Sequence, residues 1–305
     1  MTVLPLALLS LAGCHREDYS FCPPEVLNDN VTLQFKLRSG ESFKSNVSSV
    51  YVGYFDGNGT YIKSERIEQG AINEFEGMVV TLAPGDYRMV FWANVNDNTK
   101  IDGVDGSSPK VTYSQMTTAN PPVVGNGNDV YYAPYGLPTR AGEEPLEYYA
   151  LTVPAGATYS DVIYFTHAHR SLEIYIKGLS GNPYKLPTVE LTGLPAGLKY
   201  FGMEELVNPP LTVTSRHNTS LVTMDNIVYA ATGIHTFLFE DMEGINIIIR
   251  DSDGNELYNI PLADAIEESN ADPDKIIIKL VFSFMNGKVE VSMPGWDSGE
   301  TGIDF

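Results

Sequence analysis

Val31-Thr-Leu-Gln-Phe-Lys-Leu37 decides the fold. Val31, Leu33, Phe35 and Leu37 alternate with Thr32, Gln34 and Lys36, and Arg38 continues the rhythm. A period of two sends one set of side chains to a buried face and the other to water, which is the signature of a half-buried β-strand. The same pattern restarts at Arg170-Ser-Leu-Glu-Ile-Tyr-Ile-Lys-Gly178, where Leu172, Ile174 and Ile176 share a face. Two such series predict two successive β-sandwiches, 31–166 and 167–305, meeting near residues 165–169.

The sequence around these two strands supports an all-β class. Residues 50–55 and 60–63 flank Asp56-Gly57-Asn58-Gly59, a hairpin pattern. The strand 87–93 is apolar on both faces except for Arg88, which makes it central, and Pro84-Gly85 ahead of it suits a type II turn. Further strands are expected at 131–135, 146–153 and 160–166. In the second half they fall at 188–192, 211–214, 226–231, 235–240, 244–250, 256–260, 275–284 and 288–293. The best helix candidate is Leu262–Ser269. With 18 Tyr and 13 Phe the chain is rich in strand formers, and 27 Gly and 19 Pro punctuate many short elements. The stretch from Asn94 to Asp129 is polar and offers one modest strand, Lys110–Tyr113. A structureless loop of that length points to function or to a covering flap.

The first residues concern location. The apolar run from Val3 ends in Leu11-Ala12-Gly13-Cys14, the lipobox read by bacterial lipoprotein processing. Cleavage before Cys14 would leave a lipid on its thiol, so 1–13 is expected to be a signal peptide and 14–30 a lipidated tether. A general secretory signal is the alternative reading, and no Lys or Arg precedes the run as a basic n-region should. A membrane-spanning helix needs about 20 apolar residues, and His15-Arg16-Glu17-Asp18 end this run too early. If Cys14 is lipidated, Cys22 has no partner, because the chain holds only 2 cysteines. A net charge of -20 argues against nucleic acid and anionic lipid as ligands.

Catalytic and metal patterns are weak. Asp251-Ser-Asp-Gly-Asn255-Glu256 places oxygens at alternate positions, as a calcium ion would need. Strands flank it, however, and Glu256 stands where an EF-hand has Gly, so a hairpin turn is the favoured reading. Asn96, Asp97, Asn98, Asp102 and Asp105 could hold an ion within the long polar stretch. His167 and His169 lie on one strand face and could begin a metal site, but no residue at a recognisable spacing completes it. No serine elbow is present, no carboxylate pair stands out, and Gly57-Asn58-Gly59 precedes no helix. No enzyme, cofactor or metal is expected.

Together, the lipobox, the acidic tether Glu17-Asp18 to Cys22-Pro23, the strand Val31–Leu37, the run from Leu82 through Tyr87 to Asn94, and the opening at Arg170 resemble the fimbrial anchor and minor-subunit lipoproteins of Bacteroidales, the Mfa-like family. The resemblance implies two tandem transthyretin-like β-sandwiches behind a lipoprotein signal peptide. It also implies lipid on Cys14, an outer-membrane, surface-exposed position at the fimbrium base, and pilin subunits as partners. A tip or adhesin subunit and a surface glycan-binding lipoprotein remain as alternatives, the latter needing exposed aromatics such as Tyr131, Tyr132, Tyr135 or Trp296. A secreted enzyme or inhibitor is the third class.

Overall fold

The computed structural model describes residues 28–103, 110–133, 148–179, 185–199, 212–239 and 241–295. The expected signal peptide, Cys14 and most of the tether lie outside them. The first half of the chain forms β1 (Val31–Leu37), α1 (Phe43–Asn46), β2 (Ser49–Asp56), β3 (Tyr61–Glu68), α2 (Gln69–Glu74), β4 (Gly77–Val80) and β5 (Gly85–Ala93). Three short strands follow, β6 (Thr99–Asp102), β7 (Lys110–Tyr113) and β8 (Val123–Val124), and then β9 (Tyr131–Ala133), β10 (Tyr149–Val153) and β11 (Tyr159–His167). The second half holds β12 (His169–Lys177), β13 (Thr188–Pro195), β14 (Gly197–Lys199), β15 (Thr212–Asn218), β16 (Ser220–Met224) and β17 (Ile227–Phe237). It ends with β18 (Asn246–Arg250), β19 (Glu256–Pro261), α3 (Leu262–Ser269), β20 (Ile277–Met285) and β21 (Lys288–Ser292).

Strand β1 behaves as its alternation demands. Val31, Leu33, Phe35 and Leu37 are buried, while Gln34 and Lys36 are exposed. It lies between β11, which it pairs in parallel, and β4, which it pairs antiparallel. A second layer runs β3-β2-β5, with β10 on the far edge of β5, and β9 joins the layers by pairing with both β5 and β11. Between the layers Phe35 meets Phe43, Phe91 and Phe165 at ring distances of 5.5, 5.8 and 5.4 Å. Each such ring pair is worth about 0.5–1.5 kcal/mol beyond the area it buries. Strands β4 and β5 do not pair with each other: the connection through Pro84 carries the chain from one layer to the other.

Strand β5 is central, and its two faces feed different cores. Met89, Phe91 and Ala93 join the N-terminal core with β1 and β11, whereas Val90 and Trp92 join the core of the second half. Strand β9 repeats the split, with Tyr131 on one side and Tyr132 on the other. The layer containing β2, β5 and β9 is thus a wall shared by two cores.

The second sandwich stacks β16-β17-β12-β20-β21 on β19-β18-β13-β15-β8. Leu172, Ile174 and Ile176 of β12 point inward with Ile234, Leu280 and Phe282, and with Val189, Leu191, Ile247 and Ile249 of the other sheet. Helix α3 buries Leu262, Ala265, Ile266 and Ser269, a stripe at helical spacing, and ends at Asn270 in the left-handed conformation. Strand β13 slips register between Leu191 and Leu194. Gly193 there has φ +79°, and a Cβ would stand 2.2 Å from the Gly244 carbonyl oxygen, so only glycine fits. Strand β17 is continuous through Gly233, where the sequence suggested two strands.

The long polar stretch is an arm built of strands. β6 and β7 form a hairpin that extends to β14, and β8 pairs in parallel with β15. β7 and β8 lie before residue 166 in the chain and pair with strands after 167. Val111, Tyr113, Val124 and Val130 of this region sit in the second core. A single buried residue, Ala168, separates β11 from β12; its N–H donates to Val130 O, and its carbonyl accepts from the Leu238 N–H.

Candidate functional site

Residues singled out by the sequence fall into three groups. Cys14, Asp105, Tyr135 and Trp296 lie outside the described residues. Asp251 makes the β18–β19 turn: its carboxylate accepts from the N–H groups of Asp253 and Asn255 and from the Asn255 amide. The Asn96 side chain bonds other side chains and that of Asn98 bonds backbone. Asn96 Oδ1 accepts from Ser49 and Arg66, and Asn98 Nδ2 donates to Gly127 O. Asp102 accepts from Thr112 and pairs with Lys100. Tyr131 and Tyr132 are buried, which removes them as a glycan-stacking platform.

The histidines come together where the arm reaches the second sandwich. The His167 and His169 rings are 5.0 Å apart, and two partners invisible in local sequence complete the group. Asp129 Oδ1 lies 2.7 Å from His235 Nδ1 and 3.4 Å from His169 Nε2. Ser171 Oγ is 3.0 Å from the same His235 nitrogen. The neighbouring Asn126 bonds the edge of β17 as a strand would, accepting from His235 N–H at 2.9 Å and donating to Gly233 O at 3.3 Å. Gly127 N–H donates to His235 O, and Ser215 Oγ donates to Gly125 O. The segment around 122–129 therefore bonds an edge of each sheet of the second sandwich.

Charge at this junction follows burial. Burial pushes His169 down to about 4, and burial with the nearby His235 pushes His217 down to about 4. The hydrogen bond to Asp129 raises His235 against its own burial. Burial pulls Asp129 upward, but His235 and the other imidazoles hold it below the usual carboxylate value. Among the described residues no group of three His, Cys, Asp or Glu side chains is placed to hold a metal ion.

The sheet edges differ in how readily another extended segment could pair with them. The outer strand β3 is armed with Lys63, Glu65, Arg66 and Glu68, which pair among themselves, and β21 carries Lys288 and Glu290. Charged edges resist pairing with another chain. Strands β4, β10 and β16 carry no charge. Strand β16 also borders a groove of 760 Å³ at the β18–β19 and β20–β21 turns. Ala230 and Phe284 line it with Leu221, Val228 and Met285, and the last three are more than half exposed.

A family model described as "Fimbrillin-A associated anchor proteins Mfa1 and Mfa2" matches residues 20–300. The fold is shared with a Bacteroides thetaiotaomicron protein provisionally named as polysaccharide binding, at TM-score 0.64 and 13% identity, over 87% of this chain and 96% of that one. A Bacteroides ovatus protein provisionally named an adhesin aligns at TM-score 0.61 and 16% identity, covering 87% and 93% of the two chains. The fimbrial anchor protein Mfa2 of Porphyromonas gingivalis aligns at TM-score 0.57 and 13% identity, over 86% and 94%. At these identities the likeness concerns the fold alone. No curated protein matches in sequence.

Proposed function

The chain belongs to the family of fimbrillin-A associated anchor proteins Mfa1 and Mfa2, fimbria-associated structural proteins, and from that premise we propose that it is a non-enzymatic outer-membrane lipoprotein that anchors a fimbria and limits its length. The observation that carries this reading is the lipobox Leu11-Ala12-Gly13-Cys14 immediately ahead of the span matched to the family. A subunit fixed by lipid at one end cannot add further subunits on its membrane side, so it holds the fibre and stops its growth there. Glu17 and Asp18 behind Cys14 fit an acidic surface-export signal. The pilin contact is assigned to the uncharged edge of β16 and its groove, which suit an extended pilin segment adding main-chain hydrogen bonds and seating alternate side chains.

Deletion of the gene tests this. Fibres are expected to become longer, fewer on cells and more abundant in the medium. A Cys14→Ala form should bind pilin without incorporating labelled palmitate and without retaining fibres on cells. Unchanged fibre length and attachment after deletion would sink the reading.

Glycan binding is the second reading, and one place favours it. A polar pocket of 540 Å³ on the N-terminal sandwich is lined by Asn58, Asp86, Tyr87, Arg88, Tyr148 and Thr152, with Arg88 4.5 Å above the Tyr148 ring. Saccharide binding abolished by Tyr148→Ala, in a strain whose fibres are unaffected by deletion, would select it.

A further inference from the structure

Asp129 ends the arm, and its carboxylate is shared by imidazoles from two strands of the second sandwich. Oδ1 lies 2.7 Å from His235 Nδ1 on β17 and 3.4 Å from His169 Nε2 on β12. His169 Nδ1 is 2.9 Å from Val130 O, an acceptor only, so Nδ1 carries the ring proton of the neutral form. Nε2 is then bare and turns a lone pair toward a carboxylate. The His169 side chain is only 5% exposed.

The surroundings leave little room for added positive charge. His167 of β11 stands with its ring 5.0 Å from that of His169, and its buried Nδ1 has no hydrogen-bond partner among the described residues. Tyr131 of β9 packs against both rings, at 4.9 and 5.4 Å. On β15 the buried His217 is acted on by His235, and its Nε2 bonds Ser215 at 2.5 Å. Glu41, beyond β1, acts on His167 and Tyr131. Glu173 of β12 acts on His235 and is itself paired with Lys279 of β20. The anion in direct contact with the imidazoles is Asp129.

We propose that this group is an acid-sensitive clasp: in neutral solution Asp129 and His235 fasten the end of the arm to the second sandwich, and acid charges the buried imidazoles and lifts the arm from the edges of β15 and β17. Proton linkage gives the direction. Burial holds His169 and His217 at about 4 and lowers His167 in the closed state, whereas lifting the arm hydrates them toward the ordinary histidine value. The closed state therefore binds fewer protons, and its advantage is lost as pH falls from about 6.5 through about 4. His235, raised by Asp129, works in the opposite sense and keeps the clasp shut through the first part of that range. Opening frees the Thr214 N–H from Pro122 O and the His235 N–H from Asn126, which are main-chain donors that another extended segment could use.

Hydrogen exchange of the full chain, read peptide by peptide and corrected for intrinsic rate, tests the clasp without reference to the fimbrial reading. Between about pH 7.5 and about pH 4, peptides covering 110–130 should lose about tenfold or more of their protection. Peptides from β1 and β5 should keep theirs across the same range. His169→Asn places its amide nitrogen at the Nδ1 position, keeping a donor for Val130 O, but cannot take a proton, so its arm should stay protected to lower pH. His217→Gln should shift the response in the same direction, and it carries the test should His169→Asn fail to fold. Asp129→Asn should loosen the arm already at neutral pH. Simultaneous loss of protection in the arm and β1, or a response unchanged in the histidine variants that fold, would overturn the proposal.

Discussion

The two sandwiches are built to the same plan from unequal materials. Every residue in the N-terminal core lies between Val31 and Phe165, and its centre is a cluster of phenylalanines. The second core is mostly Ile, Leu and Val, and it borrows Phe55, Val90, Trp92, Val111, Tyr113, Val124, Val130 and Tyr132 from the first half of the chain. It also borrows an edge strand, β8, and a hairpin, β6–β7. One sandwich closes on itself, while the other is closed by its neighbour. A sandwich hides its interior only if both layers and their open sides are covered, so the dependence runs mainly one way.

The sharpest break would come from separating the halves at the proposed boundary, 166/167. Residues 167–305 alone lack the borrowed wall and should bind a hydrophobic dye and show no cooperative melt. A sharp thermal transition in that fragment would refute the one-way dependence.

Acid is the next largest lever, because the buried histidines sit at the junction and in the second sandwich. For His169 and His217, held at about 4, the sign is that of a depressed folded value. Their contribution is complete above the unfolded value near 6.5 and is lost on descending through about 4. Each accounts for at most about 3 kcal/mol. Chemical denaturation at stepped pH should show the second sandwich weakening first. Equal loss in β1 and β12 by hydrogen exchange would count against the comparison.

A single strand can separate the two cores. Phe91→Ala and Trp92→Ala should each cost about 3–5 kcal/mol. The first should loosen β1 and β11, and the second β12 and β17, in peptide-resolved exchange. If both substitutions disturb the same peptides, the shared wall does not divide the cores. The smallest effect is expected from Asn126→Ala, which leaves the His235 N–H and the Gly233 carbonyl without their side-chain partner. About 1–3 kcal/mol should be lost, with faster exchange confined to the arm and β17.

Much of the fold was legible because its signals are local. Alternation marked β1 and located β12, although β12 is buried on both faces rather than one; two-sided apolarity marked β5 as central, and the spacing of Leu262, Ala265, Ile266 and Ser269 marked α3. Asp251 and Asn255 marked their turn, because an Asx side chain reaches backbone only a few residues away. The arm was legible only at Lys110–Tyr113. A strand of two residues such as Val123–Val124 has no period to detect, and its pairing with β15 is made by a partner 91 positions away at Thr214. The sequence suggested two strands on either side of Gly233, yet β17 passes through it because Gly233 pairs with Glu173 in an unbroken ladder with β12, and Asn126 bonds its carbonyl from the other side.

The candidate site divides in the same way. His167 and His169 were visible as a pair by their spacing, but they do not share a strand face as expected: His167 ends β11 and His169 begins β12, and the link through Ala168 brings their rings to 5.0 Å. Asp129 and His235 were not, being 106 positions apart in the chain and 2.7 Å apart in space. The sequence by itself determined what is written in neighbouring residues: the all-β class, most of the described strands, the helix Leu262–Ser269 and the net negative charge. Tertiary structure alone decided which core each face of β5 and β9 enters, where the arm docks, and which imidazoles share a carboxylate. Alternation states that a face is buried but not against what, because burial rewards removal from water whatever the neighbour. The neighbour is chosen by pairing and packing across distant parts of the chain.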